Sequence, residues 1–278
     1  MTHLPIALAL GFLAGLHTAT WGMYKDAPHE GFTWFRYFRS PMLGLVMALI
    51  CYLVARPDLS RPGPILLFFG LVYVLERGAI EFWKTFLRDE DQSKYFIPMQ
   101  FAVFGRVIHG KSERLLIGFP LAILIVLVFL GVHWISRRVT PQDGVSILTV
   151  FLVASISGWI SAFLGAWKDA PIEGFETLKF LRSPVAAGLY GVLLAPFTTS
   201  FLLIICAALG YTIATLETYK TFLFPSKPRG KFAGKPILRP EMLERRKKFA
   251  VLYVGIWLFL IAHFVLAYAK PSGRGLLG

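Results

Sequence analysis

Eight apolar segments occupy most of this chain, at residues 5–24, 41–55, 64–82, 115–135, 145–167, 184–196, 201–219 and 249–269. Most are close to the ~20 residues that carry a helix across a bilayer. Within a bilayer every backbone N–H and C=O must find a partner inside the protein, which leaves helices or closed barrels. Runs of this length predict an all-α polytopic membrane protein with about eight transmembrane helices. Composition agrees, because 56% of the 278 residues are hydrophobic and only 16% are charged. The second and sixth segments are short. That implies local thinning, burial among other helices or incomplete crossing. No basic region precedes the first apolar run, so no cleavable signal peptide is expected. Cys51 and Cys206 sit inside apolar runs and read as small core residues.

The eight segments form two sets of four. Residues 25–41, KDAPHEGFTWFRYFRSP, recur 143 positions later as residues 168–184, KDAPIEGFETLKFLRSP, with 10 of 17 positions identical. The third segment ends Glu81-Phe82-Trp83-Lys84-Thr85-Phe86-Leu87 and the seventh Glu217-Thr218-Tyr219-Lys220-Thr221-Phe222-Leu223. The chain therefore reads as a duplication. Residues 1–138 form one four-helix repeat and residues 139–278 the other, with the boundary near residues 137–144. An even number of crossings gives both copies the same orientation, related by a pseudo-twofold along the membrane normal.

Charge placement orients the chain. Loops after segments one, three, five and seven hold 3, 6, 3 and 10 Lys or Arg, against 6 on the opposite side. By the positive-inside rule the motif loops face the cytoplasm and both termini face outward, in an inner (plasma) membrane. The net charge of +13 is then a topological bias rather than a nucleic-acid footprint. The basic run Arg245-Arg246-Lys247-Lys248 suits anionic membrane lipids as partners, and the aromatic-rich helices suit further protein partners within the membrane.

The repeated motif concentrates polar chemistry at the cytoplasmic boundary. Helix one is expected to end at Tyr24, with Ala27-Pro28 forcing a turn that keeps Asp26 and Glu30 off a common helical face. Gly31 permits backbone shapes that other residues resist. Ser40-Pro41 and Ser183-Pro184 read as N-cap and first residue of helices two and six. A helix N-terminus beside Arg39 or Arg182 makes an anion site. The expected anion-binding set is Lys25, Arg39, Ser40, Lys84, Lys168, Arg182, Ser183 and Lys220. The accompanying carboxylates are Asp26, Glu30, Glu81, Asp169, Glu173 and Glu217. These groups serve either as ion pairs joining the helices or as a receptor for an anionic or phosphate-bearing ligand.

Differences between the copies point to unique activity. Glu76 and Arg77 lie within an apolar run, while the matching positions hold Thr212 and Ile213. Intramembrane charge is costly and marks pairs or pathways. Adjacent residues on a helix do not face each other, so Glu76 and Arg77 each need another partner. His17 faces Ile160 in the other copy and reads as packing or proton carriage. His133 and His263 are matched near the outer ends of their helices and are candidate axial ligands for a tetrapyrrole, although the sequence specifies no cofactor. No metal site is assigned, and no Walker, HExxH, CxxC or GxSxG pattern is present. Three functions fit: a transporter or carrier for an anionic or phosphate-bearing ligand, a membrane enzyme acting on a lipid phosphate or lipid-linked substrate, and a non-catalytic subunit of a larger complex.

Overall fold

A computed structural model describes residues 2–139, 145–223, 230–270 and 275–277. The proposed repeat boundary falls largely on residues 140–144, outside the described residues. The elements are α1 (Leu4–Glu30), α2 (Trp34–Ala55), α3 (Pro62–Phe82), α4 (Lys111–Val139), α5 (Ile147–Glu173), α6 (Thr177–Leu194), α7 (Phe201–Thr218) and α8 (Glu241–Ala269). A two-stranded hairpin, β1 (Ala102–Val103) and β2 (Arg106–Val107), sits between α3 and α4. The protein is all-α in character, and seven of its helices are long and apolar enough to cross a membrane. The remaining one, α3, carries Glu76, Arg77 and Glu81.

Helices α3 and α7 form the centre. Gly70 and Gly210 bring them together so closely that a Cβ added at Gly210 would lie 2.2 Å from the Gly70 carbonyl oxygen. Small residues allow this approach, and dispersion between the two backbones then holds the pair. Phe69, Tyr73, Ile204 and Tyr211 are fully buried around the seam. Helices α1 and α2 pack on one side of it and α5 and α6 on the other. Helix α4 lies outermost, on α7 and on the π turn Trp83–Leu87, and α8 packs on α1 and α3. Leu116, Leu124, Leu127 and Trp134 of α4 stand exposed, as lipid-facing side chains do.

Three expectations are corrected at the motif itself. First, α1 runs through Pro28 to Glu30 and stops only at Gly31, whose φ of 78° suits glycine. Proline removes the hydrogen bond to the carbonyl four residues back. That carbonyl, on Tyr24, accepts instead from Nη1 of Arg246 at 2.9 Å. With the orphan satisfied, the helix continues. The second copy behaves alike, with α5 passing Pro171 to Glu173 and stopping at Gly174, φ 83°.

Second, Ser40 and Ser183 are not N-caps. Helix α2 begins at Trp34, capped by Thr33, whose side chain accepts from the Arg36 N–H at 3.3 Å. Helix α6 begins at Thr177, with Glu176 ahead of it. The Ser-Pro pairs lie well inside these helices, where they pack on glycines. A Cβ on Gly15 would sit 2.2 Å from the Ser40 carbonyl oxygen, and one on Gly158 would sit 2.4 Å from that of Ser183. The repeated Ser-Pro is thus a close helix–helix seam in both copies. Third, the apparent shortness of segments two and six disappears, because their first turns are the amphipathic stretches holding Trp34, Phe35 and Leu178, all exposed.

Candidate functional site

The charged residues of both motifs gather at one end of the bundle, where α1, α3, α5 and α7 finish. Helix α3 continues into the π turn Trp83–Leu87 and α7 into the π turn Tyr219–Leu223. A π turn adds a residue to the helical register and re-aims the side chains beyond it. Here it carries Lys84 and Lys220 back toward the carboxylates of their own helices. Glu81 receives Arg77 and Lys84, the latter at 3.4 Å, and Glu217 receives Lys220 at 3.0 Å. Lys25 of α1 reaches Glu217 of α7 at 3.6 Å, so this network ties α1 to α7.

The two Asp-Glu dyads meet different fates. Continuation of α1 puts Asp26 and Glu30 on one face. Between them sits Lys231 from the loop ahead of α8, its Nζ 2.9 Å from Asp26 Oδ2 and 3.2 Å from Glu30 Oε1. The Lys231 ammonium also lies 4.6 Å from the ring of Phe232 and 5.2 Å from that of Tyr95. The Tyr95 hydroxyl donates to Glu30 at 3.1 Å. Burial, with the nearby Glu30 carboxylate, pushes this hydroxyl well above its usual range and keeps it a donor. Residues 230–239 are strapped down further. Phe232 stacks on His29, His29 Nδ1 is 2.8 Å from the Pro236 carbonyl oxygen, and the N–H groups of Leu238 and Arg239 both donate to Pro28 O. Pro28 and His29 are consequently buried.

Among the described residues no such strap covers Asp169 and Glu173. Their partner is Lys179 of α6, at 3.5 and 2.5 Å. This end of the molecule holds a cleft of about 1100 Å³ between the ends of α1 and α5, the starts of α6 and α8, the second π turn and the outer face of the strap. Its charged lining includes Lys25, Asp169, Glu173, Lys179, Arg182, Lys220 and Arg246. Much of that charge is paired within the protein. Arg182 is not. Among the described residues it has no ion-pair partner, and its buried Nε has no acceptor. The Thr221 hydroxyl, on a residue only 4% exposed, has no partner, and neither does the buried Nε of Arg246. A buried donor left unsatisfied costs stability, and three in one cleft ask for an acceptor.

Of the eight expected anion-binding residues, Lys25, Arg182 and Lys220 line this cleft. The others lie elsewhere. Ser40 and Ser183 are in the packing seams, Lys84 is held by Glu81, and Lys168 rests its ammonium 3.8 Å from Met99 Sδ. Arg39 stacks 4.9 Å over the Trp83 ring. Sequence reasoning missed Lys179, Thr221 and Lys231, and assigned Arg246 only to a basic run for anionic lipid. Lys179 and Thr221 had a usable signal, since both occupy aligned motif positions; nothing in the sequence marks Lys231.

Glu76 and Arg77 part company as their adjacency requires. Arg77 pairs with Glu81 one turn on and lies 5.0 Å over the Trp21 ring. Glu76 is fully buried, and neither of its oxygens has a hydrogen-bond partner among the described residues. His17, also fully buried, contacts the Tyr73 hydroxyl at 3.1 Å and stacks on Tyr253. His263 engages the Phe259 carbonyl within its own helix at 2.8 Å. His133 and His263 lie on helices with different packing partners. Among the described residues no group of three or more His, Cys, Asp or Glu is placed to hold a metal. No protein-family model, curated protein or solved structure matches the chain.

Proposed function

We propose that this is an integral membrane carrier that takes up an anionic, phosphate-bearing ligand from the cytoplasm through the cleft at Arg182, Thr221 and Arg246. The observation that carries this reading is the set of three unpartnered donors on one charged cleft. A phosphate oxygen accepts from such donors, and arginine suits it in geometry as well as charge. The reading also takes the two four-helix halves as parallel repeats about an axis through the Gly70–Gly210 contact, with the motif end cytoplasmic and anionic lipid around the basic start of α8. The tight α3–α7 seam then closes the outward side while the cleft opens inward, one of the two states that alternating access needs.

The experiment is uptake of radiolabelled inorganic phosphate and glycerol phosphate into proteoliposomes. Arg182→Gln and Arg246→Gln should each lower uptake by about tenfold or more. Absence of uptake for both solutes by the wild-type protein overturns the carrier reading. A second reading, an enzyme of lipid phosphates, draws on the position of the cleft at the helix ends, level with lipid headgroups. It predicts a chemically changed lipid in the same vesicles.

A further inference from the structure

The two halves of the molecule show the same Asp-Glu dyad in two conditions, and the comparison names the second group that the cleft receives. In the first half, Asp26 and Glu30 hold a primary ammonium, that of Lys231, closed in by Tyr95, Phe232 and the strap, with only 11% of the lysine side chain exposed. In the second half, Asp169 and Glu173 lie on the wall of the cleft. The junction around them is open, for Pro171, Glu173, Phe175 and Glu176 are exposed or half-buried where Pro28 and His29 are buried. Lys179 meets this dyad at 3.5 and 2.5 Å, but a third of its side chain is exposed, against 11% for Lys231. A partly exposed ion pair contributes less than a buried one, so a ligand ammonium competes with the lysine for the dyad.

We infer that the cleft binds a phosphate ester bearing a primary ammonium, with the phosphate on Arg182, Thr221 and Arg246 and the ammonium on Asp169 and Glu173. This inference rests on the reading of the cleft as an anion site and adds the cationic half of the ligand. The independent support is the buried, unpartnered Thr221 hydroxyl on the same cleft, which calls for an acceptor that no carboxylate of the protein supplies. An ammonium offers three N–H donors to two carboxylates, as Lys231 does at the twin site, whereas a quaternary ammonium offers none. Leu178, on the cleft rim and 85% exposed, gives an attached acyl chain an apolar surface when the ester is a lipid headgroup.

The test is calorimetric titration of the detergent-solubilised full chain with inorganic phosphate, glycerol phosphate, O-phosphoethanolamine and O-phosphocholine. O-phosphoethanolamine should bind about tenfold more tightly than the other three. The double variant Asp169→Asn/Glu173→Gln should erase that advantage. Lys179→Ala, which frees the dyad, should enlarge it. Arg182→Gln should weaken all four ligands together. Equal affinities for all four in the wild type and in Lys179→Ala overturn the ammonium half while the anion site stands. No binding of any of the four overturns both. Competition by nanodiscs of phosphatidylethanolamine, but not of phosphatidylcholine, identifies a lipid as the source; a lack of competition identifies a soluble ester.

Discussion

Gly70 of α3 and Gly210 of α7 meet backbone to backbone at the centre of the bundle, with space for no side chain on either. A methyl group at Gly210 must push on the Gly70 carbonyl, which belongs to a buried helix and has little room to move. Gly210→Ala should therefore destabilise the protein by about 1–3 kcal/mol. Gly22, on α1, has nothing within 4 Å of an added Cβ. Gly22→Ala should be neutral or stabilising by up to about 1 kcal/mol. Thermal unfolding of the two variants in the same detergent checks the contrast.

The two carboxylates of α3 should respond oppositely to neutralisation. Glu81 holds Arg77 and Lys84, so Glu81→Gln leaves a buried guanidinium without its counter-ion. Its side chain is 43% exposed, which brings the loss to about 2 kcal/mol, below that of a fully buried pair. Glu76 makes no hydrogen bond and no ion pair among the described residues, and Glu76→Gln removes a buried carboxylate whose desolvation opposes folding. It should leave the melting temperature unchanged or raise it. Both values come from the same unfolding series.

Lys231 ties the strap to the end of α1. Lys231→Gln should cost about 1–3 kcal/mol, because two carboxylates lose their cation. Hydrogen exchange should rise at the N–H groups of Leu238 and Arg239, which bond to Pro28 O. A further Asp26→Asn change should recover part of the loss, and the double-mutant cycle measures the coupling.

The loop between α3 and α4 hangs on Arg114. This fully buried guanidinium donates to the carbonyls of Phe86, Ile108 and His109 and to Asp89. The hydrogen bond from Arg114 holds the Asp89 carboxyl below its usual range. A carboxyl depressed in the folded state contributes its full stabilisation above its unfolded pKa of about 4 and loses it as pH falls through the folded value. Protection of the loop in hydrogen exchange, corrected for the intrinsic rate, should fall below a pH of about 4. Asp89→Asn should abolish that step.

The all-helical character and the positions of the long apolar helices were legible from the residues, because hydrophobic length and backbone hydrogen bonding impose them locally. The motif's conformation was not. Pro28 reads as a break, since a lone proline orphans a carbonyl, yet Arg246, 222 positions beyond Tyr24, arrives to satisfy it. Ser40-Pro41 reads as a helix start, since that dipeptide caps helices well, but an earlier start at Thr33 leaves it free to pack on Gly15. In both cases the tertiary arrangement, not the local dipeptide, set the helix boundary.

What the sequence by itself determined is a helical architecture with helices long and apolar enough to cross a membrane, and the clustering of charge at one end of it, for these come from hydrophobic length and from the spacing of ionisable residues along each segment. Only the tertiary structure decided which charges are spent on one another. Lys84 and Lys220 look equivalent, as do the two Asp-Glu dyads, until the loop ahead of α8 folds over one copy and not the other. Ion pairing depends on distances of a few ångströms between residues far apart in the chain. Those distances are set by packing, and packing is what separates the closed dyad at Asp26 and Glu30 from the open cleft at Asp169 and Glu173.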